Sequence, residues 1–139
     1  MMEKYIISIQ KEYLNGERNG KGKKYYDTGE LEFEGEYLNG ERNGKGKEYY
    51  YNGKLEFEGE YLNGKKWNGN GYNINGLIQL EIKDGKGKGK EYYKNGELEF
   101  EGEYLNGKRW NGKGKEYYLN ELKFEGEYIN GEKIESKKK

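Results

Sequence analysis

The chain has 139 residues, 31% hydrophobic and 37% charged, with 26 basic and 26 acidic side chains and no His, Cys or Pro. That composition excludes histidine- or cysteine-dependent catalysis, thiolate or histidine zinc sites and a disulfide framework. Zero net charge argues against a general affinity for nucleic acid or acidic membranes, and no run approaches the roughly 18 apolar residues of a membrane-spanning helix.

Low hydrophobicity alone would suggest disorder. Against it stand 16 Tyr, 4 Phe and 2 Trp, which bring large apolar area per residue, and the lack of Pro, which suits a long series of hydrogen-bonded strands. One domain is expected over residues 1–139. Tyr5–Ile9 is too short and interrupted for a signal peptide's apolar core, so the default address is cytoplasmic.

The elements repeat. A terminal strand is predicted over residues 5–14. Repeats then run over 22–131, and a charged tail occupies 132–139. The wording from Gly44 to Gly64 returns almost unchanged from Gly87 to Gly107, and Gly35 and Gly59 sit 24 residues apart at the same point of the unit. A fixed period of this size marks a repeat architecture. One type of strand covers Ile9–Leu14, Phe33–Leu38, Phe57–Leu62, Ile78–Lys83, Phe100–Leu105 and Phe124–Ile129. The other begins near Gly22, Gly46, Gly71, Gly89 and Gly114. Asn-Gly pairs between them signal tight turns, here with extra flanking residues that favour loops of about four residues. The reading is all-β: eleven strands in an elongated, single-layer antiparallel meander of hairpins.

Alternation along a strand puts Phe33, Gly35 and Tyr37 on one face and Glu34 and Glu36 on the other. In the next strand Lys45 and Lys47 oppose the glycines. Glutamate and lysine rows therefore alternate across one face as a solvated ladder, each pair contributing roughly 0.2–1 kcal/mol. Gly35, Gly44 and Gly46 leave room for Phe or Tyr rings from neighbouring strands. Tyr49 and Tyr50 point to opposite faces.

The run from Phe33 to Gly46 resembles the MORN repeat, Y-x-G-x-[WY]-x-x-G-x-x-x-G-x-G, with Phe for the leading Tyr, and Tyr50 and Asn52-Gly53 complete the unit. The resemblance covers residues 9–131 and is closest to a bacterial variant associated with antitoxin-like proteins. It departs at Lys11, which stands where Gly35 does. Trp67 and Trp110 are inserted in Lys65–Gly69 and Lys108–Gly112. The unit between Gly71 and Gly89 has 18 residues, and its strand Leu77–Ile82 has lost the repeat's Gly and aromatics. That degenerate unit reads as a bend or a distinct contact zone.

No catalytic residue, cofactor or metal is assigned. Asp84–Lys90 is glycine-rich but lacks the ending of a phosphate loop. Every unit repeats the same Glu, so no carboxylate pair is singled out for glycoside chemistry, and no calcium loop is present. Lysine strands with interleaved Tyr could hold single-stranded nucleic acid, but equal numbers of Glu oppose it. For membranes, the cluster Lys137–Lys139 alone is a weak anchor.

The resemblance implies a non-enzymatic scaffold or protein-interaction module that takes a partner peptide or helix in an aromatic groove. The residues expected to line it are Phe33, Tyr37, Phe57, Tyr61, Phe100, Tyr104, Phe124 and Tyr128, with Trp67 and Trp110 as turn-borne anchors at the rim. The alternatives are an antitoxin-like inhibitor of one enzyme and a membrane-lipid adaptor. The apolar edge residues Ile6, Ile7 and Ile9 are the expected contact of any homodimer.

Overall fold

An Asn-Gly pair, or Asp84-Gly85 in the middle unit, closes each long hairpin. Asn39 and Gly40 have φ of 52° and 83°, the both-positive geometry of a two-residue turn whose twist suits the strands it joins. The expected four-residue loops are thus corrected at these turns. The residues around each pair continue the strands instead of widening the loop.

The computed structural model describes residues 4–7, 13–14, 17–118 and 121–135. Its strands are β1 (Lys4–Ile7), β2 (Tyr13–Leu14), β3 (Glu17–Arg18), β4 (Gly20–Tyr25), β5 (Leu31–Leu38), β6 (Glu41–Tyr49) and β7 (Leu55–Leu62), followed by β8 (Lys65–Tyr72), β9 (Ile78–Lys83), β10 (Lys86–Tyr92), β11 (Leu98–Leu105), β12 (Lys108–Tyr118), β13 (Glu121–Ile129) and β14 (Glu132–Glu135). Twelve form one antiparallel sheet in the order β1, then β4 through β14, while β2 and β3 form a separate ribbon. The all-β open meander is therefore as expected, with one strand more than the eleven anticipated. Of the terminal strand expected over 5–14, β1 and β2 are described, and residues 8–12, Ile9 among them, lie outside the described residues.

The lysine-bearing strands are longer than expected because they start directly after each Asn-Gly turn. The opposite turns are wider. Between β6 and β7, Gly53 N donates to Tyr50 O at 2.9 Å and Tyr50 N to Lys54 O at 2.8 Å. Asn52 Oδ1 accepts from Lys54 N at 3.0 Å. Asn side chains recur at this point because they can close a turn on the backbone two residues on.

The core is a layer of rings lying on the sheet's own glycines. Phe33, Phe57 and Phe100 have no exposed surface, and Tyr37, Tyr61, Tyr104, Phe124 and Tyr128 are buried. A Cβ placed on Gly46 would meet the Phe33 ring at 2.7 Å and the Tyr61 ring at 3.0 Å. The rings meet edge to face, Phe33 with Tyr61 at 5.4 Å and Phe100 with Tyr128 at 5.1 Å between centroids, the arrangement their quadrupoles favour. Gly44 is different: the Glu36 carboxylate occupies its space and accepts from Lys45 N at 2.7 Å.

In the short middle unit Leu80 and Ile82 restore the lost apolar volume, exposed by only 2% and 3%. Leu80 pairs with Gly71 and Gly89, and Ile82 with Gly69 and Gly87. The unit also draws the wide-turn rim together. Tyr51 N, in the turn after β6, donates to Lys94 O at 3.1 Å, in the turn after β10. The turn after β8 lies between them in sequence, and its Ile74 packs against Gly96.

Eleven spacings of about 4.8 Å make the sheet on the order of 50 Å across. Small-angle scattering should give a radius of gyration above the ~14 Å of a compact chain this long, with a sheet-type circular dichroism spectrum. A compact or helical particle would contradict the meander.

Candidate functional site

The sheet has an aromatic face and a ladder face, and they differ in what they leave open. On the aromatic face, cations cover the rings. The Arg42 guanidinium sits 4.0 Å from the Phe33 centroid, Lys66 Nζ 5.1 Å from Phe57 and Arg109 4.9 Å from Phe100. Strand register places them there: Arg42 pairs with Tyr37, and Glu48 with Phe33 and Phe57, so their side chains share the ring face.

These cations are tied into one network. Glu48 receives Arg42 at 3.1 Å, Lys94 at 3.1 Å and Lys66 at 3.8 Å, and the Tyr61 hydroxyl donates to it at 2.7 Å. Lys66 reaches Glu91 at 2.7 Å, and Arg109 bridges Glu91 at 3.0 Å and Glu99 at 3.1 Å. Lys94 also meets Glu56 at 2.5 Å. The Tyr104 hydroxyl is buried beside Glu91 and Arg109 without a hydrogen bond of ordinary geometry.

Burial opposes the Glu48 charge, but Lys66, Lys94 and Arg42 outweigh it and hold the carboxyl well below the usual range. Against the same cost of burial, Lys66 and Arg109 bring Glu91 down to about 2. Burial prevails at Glu56, whose carboxyl is raised despite Lys66 and Lys94. Burial also pushes up the Tyr61 hydroxyl, aided by Glu48. Such a buried, multiply bridged network acts as a structural layer over the rings.

The eight Phe and Tyr residues expected to line a partner groove do share one face. That face is largely filled: cations lie over the rings, and each of the eight is buried. The two Trp residues are in strands β8 and β12, not in loops, and their rings pack on the glycine of the next turn. A Cβ on Gly85 would lie 2.7 Å from the Trp67 ring, and one on Gly131 3.0 Å from that of Trp110. Trp67→Ala and Trp110→Ala are therefore each expected to cost about 2 kcal/mol of stability, about half the range for fully buried aromatics. Unchanged denaturation midpoints would show that the stacking is idle.

Three open clefts lie along the ladder face. One of about 780 Å³ is walled by Lys21, Lys23, Lys45 and Lys47 against Glu34, Glu36, Glu58 and Glu60. A second of about 750 Å³ spans β11 to β14, and a third of about 600 Å³ includes Leu105 and Trp110. Register confirms the alternation, with Lys47 opposite Glu34 and Glu58. The pairs are loose, Lys47 to Glu58 at 3.7 Å with both half-exposed. Apolar groups flank the charges: Tyr49, which donates to Glu34 at 2.9 Å, and exposed Leu38, Leu62, Leu98 and Tyr117. Sequence reasoning foresaw Tyr on both faces and placed binding at the ring-face aromatics, which the structure buries. The signal available was the same alternation, which sets Tyr49 with the ladder and Glu48 with the rings.

An open sheet of Gly-rich hairpins, with rings packed on its own backbone, defines a β-hairpin repeat protein. Residues 33–54 match the family model of the MORN repeat, and residues 18–39 and 86–106 that of the MORN repeat variant. The chain thus carries MORN repeats. Such repeats are non-enzymatic modules that commonly bind proteins or membranes. No curated protein matches it.

Proposed function

We propose that this chain is a docking module that holds a protein partner against the ladder face of its sheet. One observation carries the reading. The ring face is closed by its own cations, whereas the open clefts fall on the face where loose ion pairs alternate with exposed Leu and Tyr. Loose surface pairs contribute little to the fold and exchange readily for a partner's charges. Apolar groups beside them supply the anchors that interfaces need. The outer edge of β1, with Ile6 and Ile7, is a second contact, for another copy of the chain.

Selection of a random peptide library on the chain tests this. Binders should weaken about tenfold, near 1.4 kcal/mol, with at least one of Lys45→Glu/Lys47→Glu, Leu105→Ser or Tyr117→Ser. They should be unaffected by Lys133→Gln on the ring face. Binders sensitive only to Lys133→Gln would overturn the ladder-face reading. So would a chain that selects no peptide but sediments with anionic vesicles, in favour of a lipid adaptor.

A further inference from the structure

The clefts on the ladder face are not equivalent. Groove residues of β4 to β7 balance four lysines against four glutamates. The groove over β11 to β14 has six glutamates and two lysines, Lys113 and Lys115. Part of the cause lies in one strand. Glu34 of β5 faces Lys23 and Lys47, whereas Glu127 of β13 faces Lys113 on one side and Ile134 of β14 on the other. Glu125 keeps Lys115 at 3.8 Å, and Glu99 turns to Arg109. Among the described residues, Glu101, Glu127 and Glu135 have no ion pair.

The same groove also carries exposed apolar side chains. Leu98, Tyr117 and Ile134 line it with 43%, 40% and 47% of their surface exposed. It crosses four strands, a span of about 14 Å. An acidic trough with three exposed apolar groups complements a segment that presents cations around an aliphatic side chain, since lysine and arginine stems lie on apolar surface while their heads seek carboxylates.

Resting on the ladder-face reading above, we infer that the groove between Leu98 and Ile134 docks a basic, leucine-bearing segment of the partner protein. The partner's cations pair with Glu101, Glu127 and Glu135, and its aliphatic side chain rests on Leu98, Tyr117 and Ile134. The balanced groove over β4 to β7 offers no such excess of charge and takes the segment poorly.

A fluorescent peptide alternating lysine with leucine and serine, and its glutamate counterpart, serve as probes in anisotropy titrations with the full chain. The lysine peptide should bind at least tenfold tighter than the glutamate peptide and weaken as salt rises. Glu101→Lys/Glu127→Lys should abolish that preference. Glu34→Lys/Glu58→Lys, which changes net charge equally in the balanced groove, should alter affinity less than threefold. Both variants must keep the parent's circular dichroism spectrum. Equal losses in the two variants would reduce the effect to overall charge and overturn the inference, as would equal binding of the two peptides. Binding seen only after deletion of residues 136–139 would also overturn it, giving the groove to the chain's own lysines. If library-selected peptides map to the ladder face but the lysine probe fails, the docking reading stands and this inference alone falls.

Discussion

Glu48→Gln should cost about 3 kcal/mol, the lower end of what removing one member of a buried ion network costs. Glu48 is the shared anion of Arg42, Lys66 and Lys94. Neutralising it leaves Lys66 with Glu91 and Lys94 with Glu56, and takes from Arg42 the carboxylate it meets in this network. The exposed pair offers the contrast: Glu58→Gln, facing Lys47, should change stability by no more than about 0.5 kcal/mol. Urea denaturation of both variants decides it, and equal costs would mean that the network is no more than another surface ladder. The pH dependence has a definite sign. Glu48 and Glu91 are lowered in the folded chain, so their contribution is complete above the ordinary carboxylate value of 4.5 and is lost as pH falls toward about 2. Glu56 is raised, so its contribution runs the other way, present in acid and lost as pH rises through its folded value. Two lowered groups against one raised group leave a net loss of stability in acid. A Glu48→Gln chain should show a shallower loss between about pH 4.5 and 2 than the parent.

Gly59→Ala should unfold the sheet or come close to it. A Cβ there would lie inside the van der Waals shell of the Asn68 carbonyl oxygen and 2.7 Å from the Gly69 Cα. Both atoms belong to the backbone of β8, so only a local separation of β7 from β8 makes room. A strand pair would then lose hydrogen bonds as well as packing, at the expected scale of overpacking, about 1–3 kcal/mol or more. Gly114→Ala is the internal comparison. Its Cβ would meet the Tyr128 ring at 2.9 Å, and a ring can tilt where a backbone cannot. Thermal unfolding should rank Gly59→Ala well below Gly114→Ala. The reverse order would show that rings, not neighbouring backbones, set the glycine requirement.

The alternation of residues by itself determined the fold. Phe33-Glu34-Gly35-Glu36-Tyr37, repeated every 24 residues and punctuated by Asn-Gly, permits only hairpins with one ring face and one charged face, because side chains alternate across a strand. The ring-on-glycine core was legible for the same reason, at Gly35 and Gly46. The shortened unit was legible as a departure but not as a core element, since Leu80 and Ile82 recover buried volume only through their register with Gly71 and Gly87. What the tertiary structure decided is which face covers its rings and which face keeps open clefts. Arg42, Lys66 and Arg109 read in sequence as more surface charge, and so did Glu48 and Glu91. Their placement depends on neighbouring strands. Only pairing across the sheet sets the cations over Phe33, Phe57 and Phe100, and only the turn contact between Tyr51 and Lys94 brings a fourth cation from two turns away. Charges on the ring face lose solvent and gain partners, so they become a lid over the aromatics. Charges on the ladder face keep their water and remain free to exchange.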